Sequence, residues 1–406
     1  MENRFDLIRL VSSDGVEGWG AAPAMGRERD GWGQLLGNYF LGERADDLAN
    51  IRQRVREMGY IGHGAGGLIE PACWDLVGKA RGKPVYELLG GTGGEVDLYA
   101  STGEVRDGAA RVEEVLARVE EGFHSVKLRV HDDTLEQDVE QIRRTREGVG
   151  DQVQLGVDAN QGWRVAAIAE CAKWDRPRAK AFCDAAGELD FAWVEEPLPQ
   201  DDYEGLAELT AGTKVAIAGG ELNNHGLPEF GHMVARGCYD WYQPDAVMVG
   251  GIAESMKIIE VIRAGGAVYT PHTWTNGIGF AINLAVFAAS GFRDGGHLEY
   301  PIDPPGWVPH ARDGLLTKPF LHEGGKLKIP DGPGLGFEID RSALRRYGKK
   351  FSTSTKLRVS FAAVMDRGLS TARQLGATRQ ARLDERHVAV EALRSSGTDP
   401  MDWTQA

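Results

Sequence analysis

From residue 96 onward, short apolar runs alternate with stretches whose apolar residues recur every three or four positions. The runs are VDLYAST (96–102), SVKLRV (125–130), QLGVDAN (154–160), FAWVEEP (191–197), KVAIAGGE (214–221), WYQPDAVM (241–248), GAVYTPH (266–272) and HLEYP (297–301). Between them lie helical patterns such as RVEEVLARVEEG, LEQDVEQIRRTREGV and IAESMKIIEVIRAG. Short buried strands alternating with helices build a parallel sheet, and about eight such units predict a closed α/β barrel of the (β/α)₈ type.

Before residue 95 the texture differs. Residues 4–20 read as two short strands around the turn SSDG, where Asp-Gly supplies the hairpin signal. The Gly-rich stretch GHGAGG then leads into LIEPACWDLVGKARG, which has helical spacing. The pattern predicts a small α+β domain over 1–95, completed by roughly 305–350, and a barrel over 96–304. Residues 351–406 read as a basic tail, helical over STARQLGATRQARLDERHVAVEAL, with the last ten residues loose.

Composition narrows the classes. A chain of 406 residues with 42% hydrophobic content supports one large domain and a smaller one. The net charge of −14 argues against a nucleic-acid partner, and no apolar run reaches the roughly 18 residues that span a bilayer. The start, MENRFDLIRL, lacks the apolar stretch of a signal peptide. Cys73, Cys171, Cys183 and Cys238 form no CxxC pair, so reduced thiols in a cytoplasmic enzyme are expected.

Polar residues collect at or just past the C-terminal ends of the apolar runs: Asp158, Glu195, Glu221, Asp245, His272 and Glu299, each about one strand–helix unit from the last. In a barrel, groups at those ends converge on one face. Three carboxylates on consecutive strands, Asp158, Glu195 and Glu221, suit a hard divalent cation such as Mg²⁺, although any one alone could instead satisfy loop amides. Glu196 is expected to face away from Glu195 and pair with a cation. Asp245 and His272 stand on adjacent strand ends, where the carboxylate would fix the imidazole tautomer and raise its pKa. A lone histidine would be structural.

In SVKLRV, Lys127 and Arg129 alternate with Val126, Leu128 and Val130, so both cations share a face. Pairing with Glu196 and other strand-end acids would account for them structurally. Asn160, Asn223, Asn224, Thr273 and Asn276 suit substrate hydroxyls, and Trp163 and Trp274 offer flat apolar walls. Each serves equally well as a loop-stabilising residue.

Taken together, VKLRV, VDANQ, WVEEP, GGELN, QPDAVMVGGI, the His272 segment and HLEYP resemble the enolase superfamily, and within it the mandelate racemase subgroup. The segment PACWDLVGKARGKPVYELLGG is similar to that family's capping domain, and the resemblance covers most of residues 4–340. It implies a modified (β/α)₇β barrel closed by an N-terminal α+β capping domain, with Mg²⁺ held by Asp158, Glu195 and Glu221. It also implies removal of the proton α to a substrate carboxylate through a metal-stabilised enolate. Lys127 and Arg129 would face that carboxylate and its doubly charged enediolate. Glu299 would hydrogen-bond the carboxylate as a protonated acid.

Two departures matter. In racemases of the subgroup the second cation of the motif is a lysine acting as base opposite the histidine. Here it is Arg129, whose pKa above about 12 makes it a poor base. One base favours dehydration of an acid sugar, an aldonate or aldarate, to a 2-keto-3-deoxy acid by an expected homo-oligomer. Lys127 as a second base keeps a racemase or epimerase of a 2-hydroxy acid open, and a non-catalytic binding protein on the same barrel is a third reading. The second departure is that the chain starts where the capping domain normally has one strand behind it, with the substrate-facing loop expected near AAPAMGRERDGW.

Overall fold

The computed structural model describes residues 4–23, 36–37, 39–59, 66–163, 172–304 and 306–406. Most of GHGAGG and of AAPAMGRERDGW lies outside them. Strands β1 (Phe5–Val11) and β2 (Glu17–Pro23) form the expected antiparallel hairpin, in register from Phe5 opposite Pro23 to Val11 opposite Glu17. Helices α1 (Leu48–Gly59), α2 (Gly66–Arg81) and α3 (Val85–Leu88) follow.

The hairpin lies against α2 because β2 carries glycine where the backbones meet. A Cβ on Gly18 would stand 2.1 Å from the Ala72 carbonyl oxygen, and one on Gly20 would stand 2.1 Å from that of Leu68. Only hydrogen fits in those gaps. Asp75 on α2 then ties in two distant segments, accepting from the Trp19 amide at 2.9 Å and the Leu335 amide at 2.9 Å.

The barrel runs β3 (Glu95–Ser101), α4 (Gly108–Glu120), β4 (Ser125–Arg129), α5 (Leu135–Val149), β5 (Gln154–Asp158), α6 (Arg176–Glu188), β6 (Trp193–Glu195), α7 (Tyr203–Gly212), β7 (Ala216–Gly219), α8 (Leu227–Arg236), β8 (Trp241–Tyr242), α9 (Ile252–Ala264), β9 (Val268–Tyr269), α10 (Gly277–Ala289) and β10 (His297–Pro301). That is seven strand–helix pairs and a final strand. Parallel neighbours follow chain order from β3 to β9, and β10 returns to pair with β3. Side chains knit the seam between β9 and β10. The Thr270 hydroxyl donates to the His297 carbonyl at 2.9 Å, and the Thr273 hydroxyl donates to the Glu299 carbonyl at 2.9 Å.

Val126, Leu128 and Val130 are fully buried in the main hydrophobic core, as the alternation requires. Helix α5 starts where expected because Thr134 and Gln137 form a reciprocal cap. Glu70 of α2, fully buried, accepts from the Ile252 amide at 2.7 Å and the Ala253 amide at 2.9 Å. It caps α9 from another part of the chain, joining α2 to the barrel.

Past the barrel lie α11 (Pro309–Arg312), β11 (Lys326–Lys328), α12 (Arg341–Tyr347) and α13 (Lys356–Ser395). The tail is helical over more of its length than its pattern indicates, with a break at Gly368, where φ is +77°. The last ten residues are not loose. Met401 is buried in the main core, and the Leu48 amide donates to the Pro400 carbonyl at 3.3 Å. The basic residues explain the docking: Arg386 pairs with Asp47 at 2.6 Å, Arg382 with Glu43 at 2.6 Å, and Arg81 with Asp399 at 2.6 Å.

If the glycine contacts set the hairpin against α2, Gly20→Val destabilises the fold by about 1–3 kcal/mol, the usual cost of overpacking. A urea unfolding curve reads this directly, and an unchanged midpoint would mean that the hairpin can move aside freely.

Candidate active site

Strand register places the site's first row. Arg129 lies opposite Asp158, Asp158 opposite Glu195, and Glu195 opposite Ala218 in successive parallel pairs. Glu221 stands three residues past Ala218, beyond a turn at Gly220 with φ of +105°. Asp245 and His272 likewise sit past the short strands β8 and β9.

Lys127 is the centre of the arrangement. Its side chain is fully buried, and its ammonium donates to Glu195 and, at 2.7 Å, to Glu299, with Asp158 at 3.7 Å. Burial opposes its charge, but the three carboxylates outweigh that and hold its pKa well above the usual lysine value. Arg129 donates to Asp158, to Asn160 at 2.7 Å and to the Thr102 carbonyl at 2.9 Å. Its guanidinium lies 5.0 Å from the centre of the Trp274 ring, which in turn packs 5.3 Å from Trp307.

The expected dyad is formed. His272 Nδ1 lies 2.9 Å from Asp245 Oδ2, and Nε2 points toward Glu221 at 3.7 Å. Burial pushes the imidazole pKa down, but Glu221, the Asp245 hydrogen bond and Glu299 raise it to about 10. Glu299 accepts from Lys127, from Ser101 at 2.8 Å and from the Thr273 amide at 2.7 Å. Burial raises it, yet Lys127 and His272 bring it down to about 2. In this arrangement Lys127 and His272 favour the ionised form of Glu299.

One expectation changes. Glu196 forms no ion pair among the described residues. The chain turns left-handed there (φ of +46°), laying the carboxyl against Gly162 and leaving Oε2 without a hydrogen bond. Burial and repulsion from Glu221, Asp158 and Glu195 push its pKa well up. Asn223 donates to Glu229 at 2.8 Å and to the Gln200 carbonyl at 3.4 Å, so its amide nitrogen serves a loop. Asn276 caps α10, Thr273 belongs to the seam, and Asn224 is exposed. Asn160 and Trp274 do stand with the cluster, through Arg129. Trp163 is half-buried, outside the hydrogen-bonded cluster just described.

Sequence reasoning passed over Ser101 and Gln243, the latter donating to Glu195 at 2.7 Å. Gln243 lies two residues before Asp245, so strand alternation was the available signal. Asn283 was also missed, although it is the only hydrogen-bonding side chain in the apolar helix α10.

The donor set fits a divalent cation on charge. Six buried carboxyl groups (Asp158, Glu195, Glu196, Glu221, Asp245 and Glu299) face two permanent cations, Lys127 and Arg129. Burial drives Glu195 up to about 7, with Lys127 pulling down against repulsion from Asp158 and Glu299, and Glu221 is raised by burial and Glu195. Surplus buried negative charge of this kind is relieved by a cation with oxygen ligands. Among the described residues no three acids or histidines stand close enough to form a ready-made cage, because Lys127 and Arg129 hold the oxygens of Asp158 and Glu195.

Known proteins carry the same arrangement of segments. Residues 110–343 match the family described as enolase C-terminal domain-like, and residues 1–90 match the mandelate racemase/muconate lactonizing enzyme N-terminal domain. The chain belongs to this family, and it is an enzyme. It is 30% identical to D-galactarolactone cycloisomerase of Agrobacterium fabrum over 85% of this chain and 92% of that one. It is 29% identical to L-talarate/galactarate dehydratase of Salmonella typhimurium over 84% of this chain and 81% of that one. A crystal structure of an enolase superfamily member from a Polaromonas species superposes with a TM-score of 0.73 at 28% identity, covering 86% of this chain and 91% of that one.

Replacing the ammonium at the centre tests the charge balance. Lys127→Met should destabilise the protein in chelator by about 3–5 kcal/mol, the cost of removing one partner from a buried ion network. Chemical denaturation measures it, and a neutral result would show that the carboxylates neutralise one another without the lysine.

Proposed function

We propose that this enzyme is a Mg²⁺-dependent dehydratase of an acid sugar, an aldonate or aldarate. One observation carries the reading: both cations of the cluster are tied up by acids, leaving His272 as its single nitrogen base. Lys127 is enclosed by Glu195, Glu299 and Asp158, and Arg129 is held by Asp158, Asn160 and the Thr102 carbonyl. Racemisation needs a working base on each face of the α-carbon, and neither cation offers a free lone pair.

In the proposed reaction His272 takes the α-proton on Nε2, since Nδ1 is committed to Asp245. The C–H electron pair becomes the Cα–Cβ double bond, the Cβ–O bond breaks, and the departing hydroxide takes a proton to leave as water. The enol then tautomerises to a 2-keto-3-deoxy acid. Protonated His272 supplies the acid if departure is on the same face. Lys127 and Arg129 would offset charge on the carboxylate and the enediolate. Asp158, Glu195 and Glu221 would hold Mg²⁺, which supplies positive charge to an enolate when bound. Glu221 helps keep His272 protonated, and that pull would be offset with a cation held there.

The relatives support the substrate class: one carries a name for a dehydratase of talarate and galactarate, the other for a cycloisomerase of galactarolactone. The test is a library of aldonates and aldarates, scanned with Mg²⁺ for 2-keto acid formation. Conversion of at least one member is expected, and conversion to an epimer without keto acid would overturn the reading. For the active substrate, excess chelator should abolish turnover and so should Glu221→Gln, with the fold intact; full activity in chelator would sink the metal assignment. His272→Asn should lose turnover while retaining substrate binding by calorimetry. An active variant would place the base elsewhere.

A further inference from the structure

Helix α10 reads GIGFAINLAVFAA, and every residue from Gly277 to Ala288 is buried. Within it Asn283 is fully buried and makes hydrogen bonds that reach out of the helix to a single neighbouring segment. Its Nδ2 donates to Asp245 Oδ1 at 2.7 Å, and its Oδ1 accepts from the Ala246 amide at 2.9 Å. The carboxamide thus grips the side chain of Asp245 and the backbone one residue later. Asp245 Oδ1 takes a second donor, the Val247 amide at 2.9 Å, while Oδ2 faces His272 Nδ1 at 2.9 Å.

Burying an amide in an apolar helix is costly unless both its ends are satisfied, and here one end meets the Asp245 carboxylate and the other the adjoining backbone. Two donors on Oδ1 fix the carboxylate plane, and with it the oxygen presented to the imidazole. A leucine at 283 would fill a similar volume but leave Oδ1 with one donor and the Ala246 amide unpaired in the interior.

We infer that Asn283 is a positioning residue, setting the Asp245 carboxylate so that His272 is held with Nε2 free toward the substrate; the catalytic consequence rests on the proposed dehydratase reading, the positional one does not. The experiment therefore has two arms. In the first, the His272 Nδ1–H resonance is followed by ¹⁵N-edited NMR in unmutated protein, Asn283→Leu and Asn283→Gln. The unmutated protein should show a downfield proton, which moves or broadens away in Asn283→Leu and partly returns in Asn283→Gln, with circular dichroism unchanged in each. An unmoved resonance in a folded Asn283→Leu protein overturns the inference.

In the second arm, the rate is measured in a double-mutant cycle with Asp245→Asn. Asn283→Leu alone should lower kcat by about 10- to 100-fold, the usual scale for a partner that orients a functional ligand, with KM little changed. In the Asp245→Asn background the same change should cost little, because the group it orients is already impaired. Equal losses in both backgrounds would show a general packing role and overturn the inference. If the resonance moves while kcat does not, the positioning stands and the assignment of His272 as the base falls.

Discussion

The molecule is organised around a fully buried ammonium set among three carboxylates. Lys127 reaches Glu195, Glu299 and Asp158 in the barrel, and no other permanent cation but Arg129 stands in the cluster described around it. Carboxylates packed so closely repel one another, and removing them from water adds to the cost. The parallel register makes the repulsion unavoidable, since Asp158 and Glu195 are direct neighbours across β5 and β6. A fold does not accept such a row for stability alone, because apolar residues of the same volume would serve better. The surplus of acid is understandable as a site for a further cation and for a reaction that generates negative charge.

The same electrostatics separates the roles of the titratable groups. Glu299 is drawn down to about 2 by Lys127 and His272 against its burial, whereas burial and like charge push Glu195 to about 7. Both carboxyls touch the lysine, and they differ in their other neighbours: Glu299 also has His272 and the Thr273 amide, whereas Glu195 faces Asp158 and Glu299. The Asp245–His272 pair lies on the other side of Glu221, held from behind by α10 and with α9 capped by Glu70. Strands deliver the charges, and a buried helical side chain, Asn283, hydrogen-bonds the carboxylate that faces His272.

Much of this was legible in the sequence because it follows from strand phase. The apolar runs mark the barrel strands, and the polar residue at or past the end of each run marks the face where they converge, so Asp158, Glu195, Glu221, Asp245, His272 and Glu299 could be read together. Period two alone put Lys127 and Arg129 on one face. Less legible were features set by backbone turns and tertiary neighbours. Glu196 looks like an ion-pair partner until the left-handed turn at that residue directs it against Gly162. The hydrogen bond from the Asn223 amide to Glu229 had no signal in the sequence. The downward pull on Glu299 comes first from a lysine 172 positions away in the chain. The tail misled because its arginines find partners in Glu43, Asp46 and Asp47, a contact with no local sequence signature.

The central claim is that a single base works in this barrel because both cations are held by acids. Exchange of the substrate α-proton in heavy water tests it most directly, with each α-epimer of an active acid sugar followed by NMR. The account predicts deuterium incorporation at one configuration only, and its loss in His272→Asn. Exchange at both configurations by the unmutated enzyme would contradict it, since a second base would then have to be Lys127 or a group outside the cluster.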